Sequence, residues 1–217
     1  MIFRLDDRLL FPDPELAEPD GLLAIDGDLS TERLLLAYQS GIFPWYSNDT
    51  PILWYSPHER CVIFPAELKI SKSMQKVLTS GIFTLTTDQC FEDVITACSA
   101  IERPGQDGTW ITAEMKEAYI KLHQKGYAHS VEVWQGDSLV GGLYGIKTGN
   151  VFCGESMFSL ASNASKVALI HLCRMAYKLI DCQVYTPHLA SMGARMISRA
   201  EYMRFVIGEW RVVNGEL

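Results

Sequence analysis

The sequence predicts an α+β fold made of two domains. Three strand-like segments follow one another between residues 130 and 158, and an amphipathic helix and a further strand come after them. The first half instead alternates helical patterns with short aromatic-rich segments. A meander followed by a helix and a strand is typical of an α+β core. The 217 residues are enough for a small N-terminal α/β domain over residues 1–95 and a second domain over residues 96–217, with the boundary between 85 and 110.

Two helices are predicted in the first half. Ser30 is a suitable N-cap with Glu32 in the first turn, and the apolar helix that follows should end at Gly41. A second helix should begin near Asp88, because apolar side chains recur there at helical spacing. These side chains are Phe91, Val94, Ile95 and Cys98.

A third helix is predicted after a polar, glycine-bearing loop at residues 102–108. Thr112 can cap this helix and Gly126 can close it. The second half then reads as three strands joined by glycine turns, a helix over about residues 167–177, and a last strand. The four predicted strands span residues 130–134, 138–146, 150–158 and 179–184.

Composition excludes several classes of protein. The net charge of −7, from 26 acidic and 19 basic residues, argues against a protein held on nucleic acid by a broad basic surface. No apolar stretch approaches the roughly 18 residues that span a bilayer, and acidic residues interrupt the N-terminus too early for a signal peptide. The six cysteines show no CxxC motif and no metal-like spacing to the five histidines. We therefore expect buried, reduced thiols, no metal, and a cytoplasmic location.

The segment LIDCQV, residues 179–184, places two polar side chains in an apolar strand. Asp181 and Gln183 are two residues apart, so a regular strand would point both to one face. An isolated Asp-x-Gln is more often an end-of-strand position that meets water. The alternative is a carboxylate and an amide that face a cleft and bind an amine. Burial of the carboxylate would then require a partner, which the sequence does not identify.

Each of the other candidate residues also has a functional and a structural interpretation. Glu155 comes directly after Gly154, where a bulge can aim a carboxylate at a ligand, although a surface glutamate is equally consistent with the motif. Cys153 is better explained as a buried thiol than as a nucleophile. Lys72 and Lys76 are typical of a solvated helix face. No phosphate-binding loop of the P-loop or coenzyme A type is present.

Ten short segments, taken in order, resemble the leucyl/phenylalanyl-tRNA–protein transferases. The match runs from about Gly21 to about Tyr202, which is nearly the whole chain. The segments are GLLAIDGDLS (21–30), YQSGIFPWYS (38–47), ILWYSP (52–57), GTWIT (108–112), GYAHSVEVW (126–134), GGLYG (141–145), FCGESMFS (152–159), NASK (163–166), LIDCQV (179–184) and HLASMGA (188–194).

This resemblance implies a C-terminal domain with the acetyltransferase-like (GNAT) fold. It also implies transfer of Leu or Phe, and less readily Met, from aminoacyl-tRNA to proteins with N-terminal Arg or Lys, which marks them for degradation by the N-end rule route. The enzyme would need no cofactor, because an aminoacyl ester is more energetic than the amide it becomes. It would hold mainly the 3′ aminoacyl-adenosine, with weak tRNA contacts at Lys72 and Lys76, and we expect a monomer.

The resemblance also implies roles for individual residues. Asp181 and Gln183 match catalytic positions, where they would orient the attacking amine, and Glu155 matches the acid that meets the basic side chain of the acceptor. Eight further residues match the pocket for the donor side chain and terminal adenosine. These are Tyr38, Trp45, Trp110, Tyr119, Leu143, Phe152, Leu172 and Ile180.

Two other functions fit parts of the pattern. A coenzyme A-dependent N-acyltransferase could use the same fold, although the missing pyrophosphate loop counts against it. An adaptor that only binds basic N-termini would need the acidic cleft but no chemistry.

Overall fold

A computed structural model describes residues 2–101 and 110–208. The predicted loop at residues 102–108 lies outside these residues. Within them, the chain forms two β-sheets and seven α-helices. The mixed α and β content confirms the predicted α+β character.

The first sheet has four strands and comes from the start of the chain. Its spatial order is β1-β2-β4-β3. β2 lies parallel to β1 and antiparallel to β4, and β3 completes the sheet as the neighbour of β4. The strands are β1 (Phe3–Leu5), β2 (Leu22–Asp26), β3 (Phe43–Pro44) and β4 (Leu53–Tyr55).

The second sheet has seven strands in the order β11-β5-β10-β9-β8-β7-β6. All its neighbours are antiparallel except β9 and β10, which are parallel and pair over only three residues, Leu179–Asp181 with Val151–Cys153. Beyond these pairs the two strands separate. The strands are β5 (Glu59–Ile63), β6 (Thr84–Thr87), β7 (Ala128–Gln135), β8 (Ser138–Thr148), β9 (Val151–Ser159), β10 (Leu179–Gln183) and β11 (Arg195–Ser198).

The helices cover both faces of the seven-stranded sheet. Val94 of α3 and Met115 of α4 share a core with Tyr144 of β8, whereas Leu172 of α5 belongs to the core on the other face, with Leu143. Alternation along β8 therefore serves two apolar layers. The helices are α1 (Thr31–Gln39), α2 (Lys72–Thr79), α3 (Phe91–Ala100), α4 (Ala113–Gln124), α5 (Ala164–Cys173), α6 (Pro187–Ser191) and α7 (Arg199–Val206).

The predicted helix signals are confirmed. The Ser30 hydroxyl accepts the Arg33 N–H at 3.3 Å, and the Thr112 hydroxyl accepts the Met115 N–H at 3.1 Å, as N-caps do. Gly126 follows α4 with a φ of +80°, a conformation that suits glycine at a helix end. The helix predicted over about residues 167–177 is shorter, because α5 ends at Cys173.

The two sheets share one hydrophobic core. Leu23 and Trp54 from the four-stranded sheet belong to the same cluster as Tyr119 and Tyr144. Sheet membership changes between Tyr55 and Glu59, since β5 and β6 both belong to the larger sheet. This change lies earlier than the domain boundary expected at residues 85–110; where the chain divides into independently folding units stays a prediction.

In the two described ranges, no helix combines the length and the apolar character that crossing a membrane requires.

Removing the cap of α4 should cost stability. Thr112→Ala deletes the oxygen that accepts the Met115 N–H and that lies 3.2 Å from the Tyr46 hydroxyl. We expect the free energy of unfolding, measured by urea denaturation, to fall by about 1–2 kcal/mol. Thr112→Ser keeps the oxygen and is the matched control. An equal loss in both variants would show that the methyl group, and not the cap, stabilises this position.

Candidate active site

A cavity of about 770 Å³ lies where β9 and β10 separate. One wall comes from β9, from Gly154 to Met157. The facing wall comes from β10 and the residues after it, from Ile180 to Leu189. Phe43 and Trp45 close the cavity from the side of the small sheet. The volume is in the range of sites for small ligands, which are mostly apolar with a few converging polar groups.

The cavity contains five of the eight residues predicted for the donor pocket. Trp45, Trp110, Leu143, Leu172 and Ile180 line it, and they form an apolar surface beside the polar groups.

The other three predicted pocket residues do not line the cavity. Tyr38 and Tyr119 lie beneath it, where their hydroxyls hydrogen-bond to each other. Phe152 is buried in the core on the α5 side and packs against Tyr177, with ring centroids 5.1 Å apart. A sequence match assigns a residue to a neighbourhood but does not say which way its side chain points.

Asp181 is paired with Arg60, a residue that the sequence analysis did not single out. Asp181 is 0% exposed, and its Oδ2 accepts hydrogen bonds from Arg60 Nη2 and, at 3.2 Å, from Arg60 Nε. β5 carries Arg60 and lies beside β10 in the sheet. The one available signal was a charged residue directly before the apolar run CVIF, residues 61–64, because a charge that is buried with such a run requires a partner.

The Arg60 guanidinium is enclosed on several sides. Its carbon lies 4.8 Å from the centre of the Phe43 ring and 4.6 Å from that of Tyr202, and Nη1 donates to the Gly41 carbonyl at 3.2 Å. Burial opposes its charge, but the Asp181 carboxylate, together with the neighbouring Tyr202 and Cys153, outweighs this effect, so the pKa of Arg60 is raised above its ordinary value.

Gln183 interrupts the regular strand. It has a φ of +59°, and the pairing of β10 with β5 shifts between Asp181 and Gln183. The expected strict alternation of side chains is therefore wrong at this point, although Asp181 and Gln183 still line the same cavity. The Gln183 N–H donates to Asp181 Oδ1 at 2.9 Å, and its side-chain Nε2 donates to Glu155 Oε1 at 3.1 Å.

Glu155 occupies the bulge that Gly154 suggested. In the β8–β9 register, Gly145 faces Gly154 and Tyr144 faces Ser156, so Glu155 is the extra residue. The side chain is 7% exposed, and Oε2 accepts a hydrogen bond from the Tyr119 hydroxyl at 3.3 Å.

Burial raises the pKa of Glu155 to about 7, and the nearby charge of Asp181 adds to this effect, while hydrogen bonds from the tyrosine hydroxyls oppose it. Burial likewise raises the pKa of Tyr38 and Tyr119, which stay neutral and act as hydrogen-bonding groups. Glu155 is thus an acid that can exist in either charge state near neutral pH.

The remaining candidates do not line the cavity. Cys153 is buried, its sulfur is 3.3 Å from the Tyr202 hydroxyl, and burial raises the pKa of its thiol, which confirms the interpretation of an inert buried cysteine. All six cysteines are free thiols. Lys72 and Lys76 are exposed on α2 and do not line the cavity.

The arrangement can bind a cation and an apolar group side by side. Glu155, Gln183 and Asp181 form one hydrogen-bonded chain at the cavity wall, next to the apolar residues. In the described part of the chain, no group of three or more His, Cys, Asp or Glu side chains is placed to hold a metal ion. The polar chain of Glu155, Gln183 and Asp181 can act on a substrate by hydrogen bonding and charge.

Comparisons with known proteins identify the family. Residues 62–206 match the model of the leucyl/phenylalanyl-tRNA protein transferases, and residues 27–58 match the model of their N-terminal domain. A protein of Syntrophobacter fumaroxidans named leucyl/phenylalanyl-tRNA–protein transferase is 56% identical over 220 residues, which is 99% of this chain and 94% of the relative. One of the same name from Flavobacterium johnsoniae is 57% identical over 206 residues, 93% of this chain and 97% of the relative. The chain belongs to the leucyl/phenylalanyl-tRNA protein transferase family.

Proposed function

We propose that this protein transfers Leu or Phe, and less readily Met, from aminoacyl-tRNA to the α-amine of proteins with N-terminal Arg or Lys. The observation that supports this most is the meeting of an apolar pocket with the chain of Glu155, Gln183 and Asp181 in one cavity. The apolar side would take the donor side chain and terminal adenosine, and the polar side the cationic acceptor. The product would be marked for degradation by the N-end rule route.

The reaction requires the protein mainly to position the two substrates. An aminoacyl ester is activated for attack, and the acceptor α-amine, with a reference pKa of about 7.7–8, is partly neutral at cytosolic pH. Holding the amine against the ester carbonyl removes much of the entropic cost of the encounter. The site therefore needs groups that orient an amine and no cofactor that activates an acid.

Gln183 is the group that we assign to the amine. Its side-chain nitrogen donates a hydrogen bond to Glu155, which orients the amide. The amide oxygen is the atom able to accept a hydrogen bond from the amine. Both oxygens of Asp181 already accept hydrogen bonds, from Arg60 and from Gln183. Asp181 therefore contributes negative charge and orients Gln183, and Gln183 makes the contact with the substrate.

Glu155 is assigned to the basic side chain of the acceptor. A buried acid with a raised pKa gives up its proton when a guanidinium or ammonium group arrives, because the opposite charge favours the ionised form. A neutral side chain offers no such compensation. This difference supports selection of Arg and Lys over neutral N-termini.

We further propose a GNAT-like fold for the region of the seven-stranded sheet. The family resemblance supports it, as does the parallel pair β9 and β10 connected through α5. The protein would act in the cytoplasm as a monomer and would hold mainly the aminoacyl-adenosine, with Lys72 and Lys76 as weak tRNA contacts.

A donor-competition assay tests the function. Charged Leu-, Phe- and Met-tRNA are mixed with the protein and an Arg-initiated peptide, and the product is read by mass. We expect addition of one Leu or Phe, with less Met, as the family resemblance implies. Acetyl transfer from acetyl-CoA with none from Leu-tRNA would point to the coenzyme A-dependent enzyme. Peptide binding without any product would point to the adaptor.

The role of Glu155 predicts a pH dependence. The pKa of Glu155 is raised to about 7, so the side chain is mostly neutral at pH 6 and mostly ionised at pH 8. The ratio of kcat/KM between wild type and Glu155→Gln for an Arg peptide should rise by about fivefold to tenfold over this range. The acceptor amine titrates equally with both proteins, so its ionisation cancels in the ratio.

Asp20→Asn is the matched control for this measurement, because it removes an exposed carboxylate from the same cavity. The ratio of kcat/KM between wild type and Asp20→Asn should stay constant from pH 6 to pH 8. The KM for aminoacyl-tRNA should be similar in all three proteins. A flat ratio for Glu155→Gln, or an equal loss of donor binding, would contradict the assigned role.

The pocket wall predicts a shift in donor preference. Leu172 is buried at the cavity, so Leu172→Phe should reduce the space for a donor ring and lower kcat/KM for Phe-tRNA about tenfold more than for Leu-tRNA. Val184→Phe, at an exposed position of the cavity rim, should leave the donor ratio unchanged. Equal losses for both donors in Leu172→Phe would place the donor side chain elsewhere.

A further inference from the structure

We propose that Arg60 is a positioning residue for aminoacyl transfer, which fixes Asp181 and through it the Gln183 amide that meets the acceptor amine. The proposal rests on the proposed function. Arg60 does not line the cavity, so it acts on the reaction only through the groups it holds.

The hydrogen bonds divide the two oxygens of Asp181 between two tasks. Arg60 donates to this carboxylate through Nε and Nη2, and both donors bond to Oδ2. Oδ1 is thereby left for the Gln183 N–H, which it accepts at 2.9 Å. A rotated carboxylate would lose this division, and a planar guanidinium with two adjacent donors is well suited to prevent the rotation.

The bond from Oδ1 stabilises an unusual backbone. Gln183 has a φ of +59°, a left-handed conformation that is unfavourable for a residue with a side chain. An aspartate oxygen that accepts the N–H two residues later offers a local compensation. This backbone sets where the Gln183 side chain begins, and the side chain then reaches Glu155 at 3.1 Å. Three successive contacts therefore connect Arg60 with the substrate site. They join Arg60 to Asp181, Asp181 to Gln183, and Gln183 to Glu155.

Arg60 also links the site to the small sheet. Its guanidinium lies against the Phe43 ring and donates to the Gly41 carbonyl. Phe43 lines the cavity, and Trp45, two residues later, lines the donor side. Arg60 thus contacts Phe43, which is part of the wall that faces the donor, and Asp181, whose carboxylate orients Gln183. Its loss should disturb the alignment of the two substrates more than the binding of either.

Kinetics of Arg60 variants test this role, with the transfer of Leu from Leu-tRNA to an Arg-initiated peptide as the readout. Arg60→Met should lower kcat by about 100-fold and change both KM values by less than about threefold, because alignment is lost and the binding surfaces remain. Arg60→Lys keeps the positive charge but lacks the second adjacent donor, and its kcat should be about tenfold higher than that of Arg60→Met.

A double-mutant cycle with Asp181→Asn separates positioning from folding. If Arg60 acts mainly through Asp181, Arg60→Met should lower kcat by less than about tenfold in the Asn background, and the remaining fall reflects its contacts with Phe43 and Gly41. The double variant carries no unpaired buried charge, so it should fold, as judged by circular dichroism and thermal unfolding. Should Arg60→Met alone fail to fold, Arg60→Lys in the two backgrounds gives the same comparison.

Two outcomes would overturn the role of Arg60 alone. One is an equal fall in kcat in the wild-type and Asn backgrounds, which would indicate a general structural contribution. The other is a raised KM at unchanged kcat, which would indicate substrate binding. A wild-type protein that transfers no amino acid from any aminoacyl-tRNA would overturn the proposed function and this role together.

Discussion

Two fully buried charged groups, Asp181 and Arg60, lie side by side on adjacent strands of the large sheet. An isolated carboxylate there would be costly, so the fold must supply a cation at this position. The pairing has geometric consequences: one oxygen of Asp181 is used by Arg60 and the other by Gln183, whose left-handed backbone breaks the strand. Because β9 and β10 also separate at this level, the polar groups open into a cavity instead of the core.

The two acids of the site lie in different surroundings. Asp181 faces a guanidinium, whereas Glu155 is hydrogen-bonded to Tyr119 and to the Gln183 amide. Burial without a permanent cation raises the pKa of Glu155 to about 7. Two carboxylates in one site can thus serve different purposes: one holds a fixed structure, and the other is ready to gain a cation from the acceptor.

The junction between the sheets also matters for the site. Phe43 and Trp45 close the cavity from the small sheet, and Phe43 stacks on Arg60. The small sheet shares a core with the large one, in which Trp54 and Tyr119 belong to one cluster. The chain passes from the small sheet to the large one between Tyr55 and Glu59. The donor side of the cavity depends on contacts between the two sheets, since neither alone encloses it.

The sequence by itself determined the features that arise from local interactions. The caps at Ser30 and Thr112 and the helical spacing around Val94 are decided within a few residues, and the glycine before Glu155 permits the bulge found there. Tertiary structure decided what depends on distant partners. Arg60 and Asp181 are 121 positions apart, and only the pairing of β5 with β10 brings them together. The same holds for side-chain direction: Tyr119 supports Glu155 from below instead of lining the pocket, because packing around α4 sets which way it points.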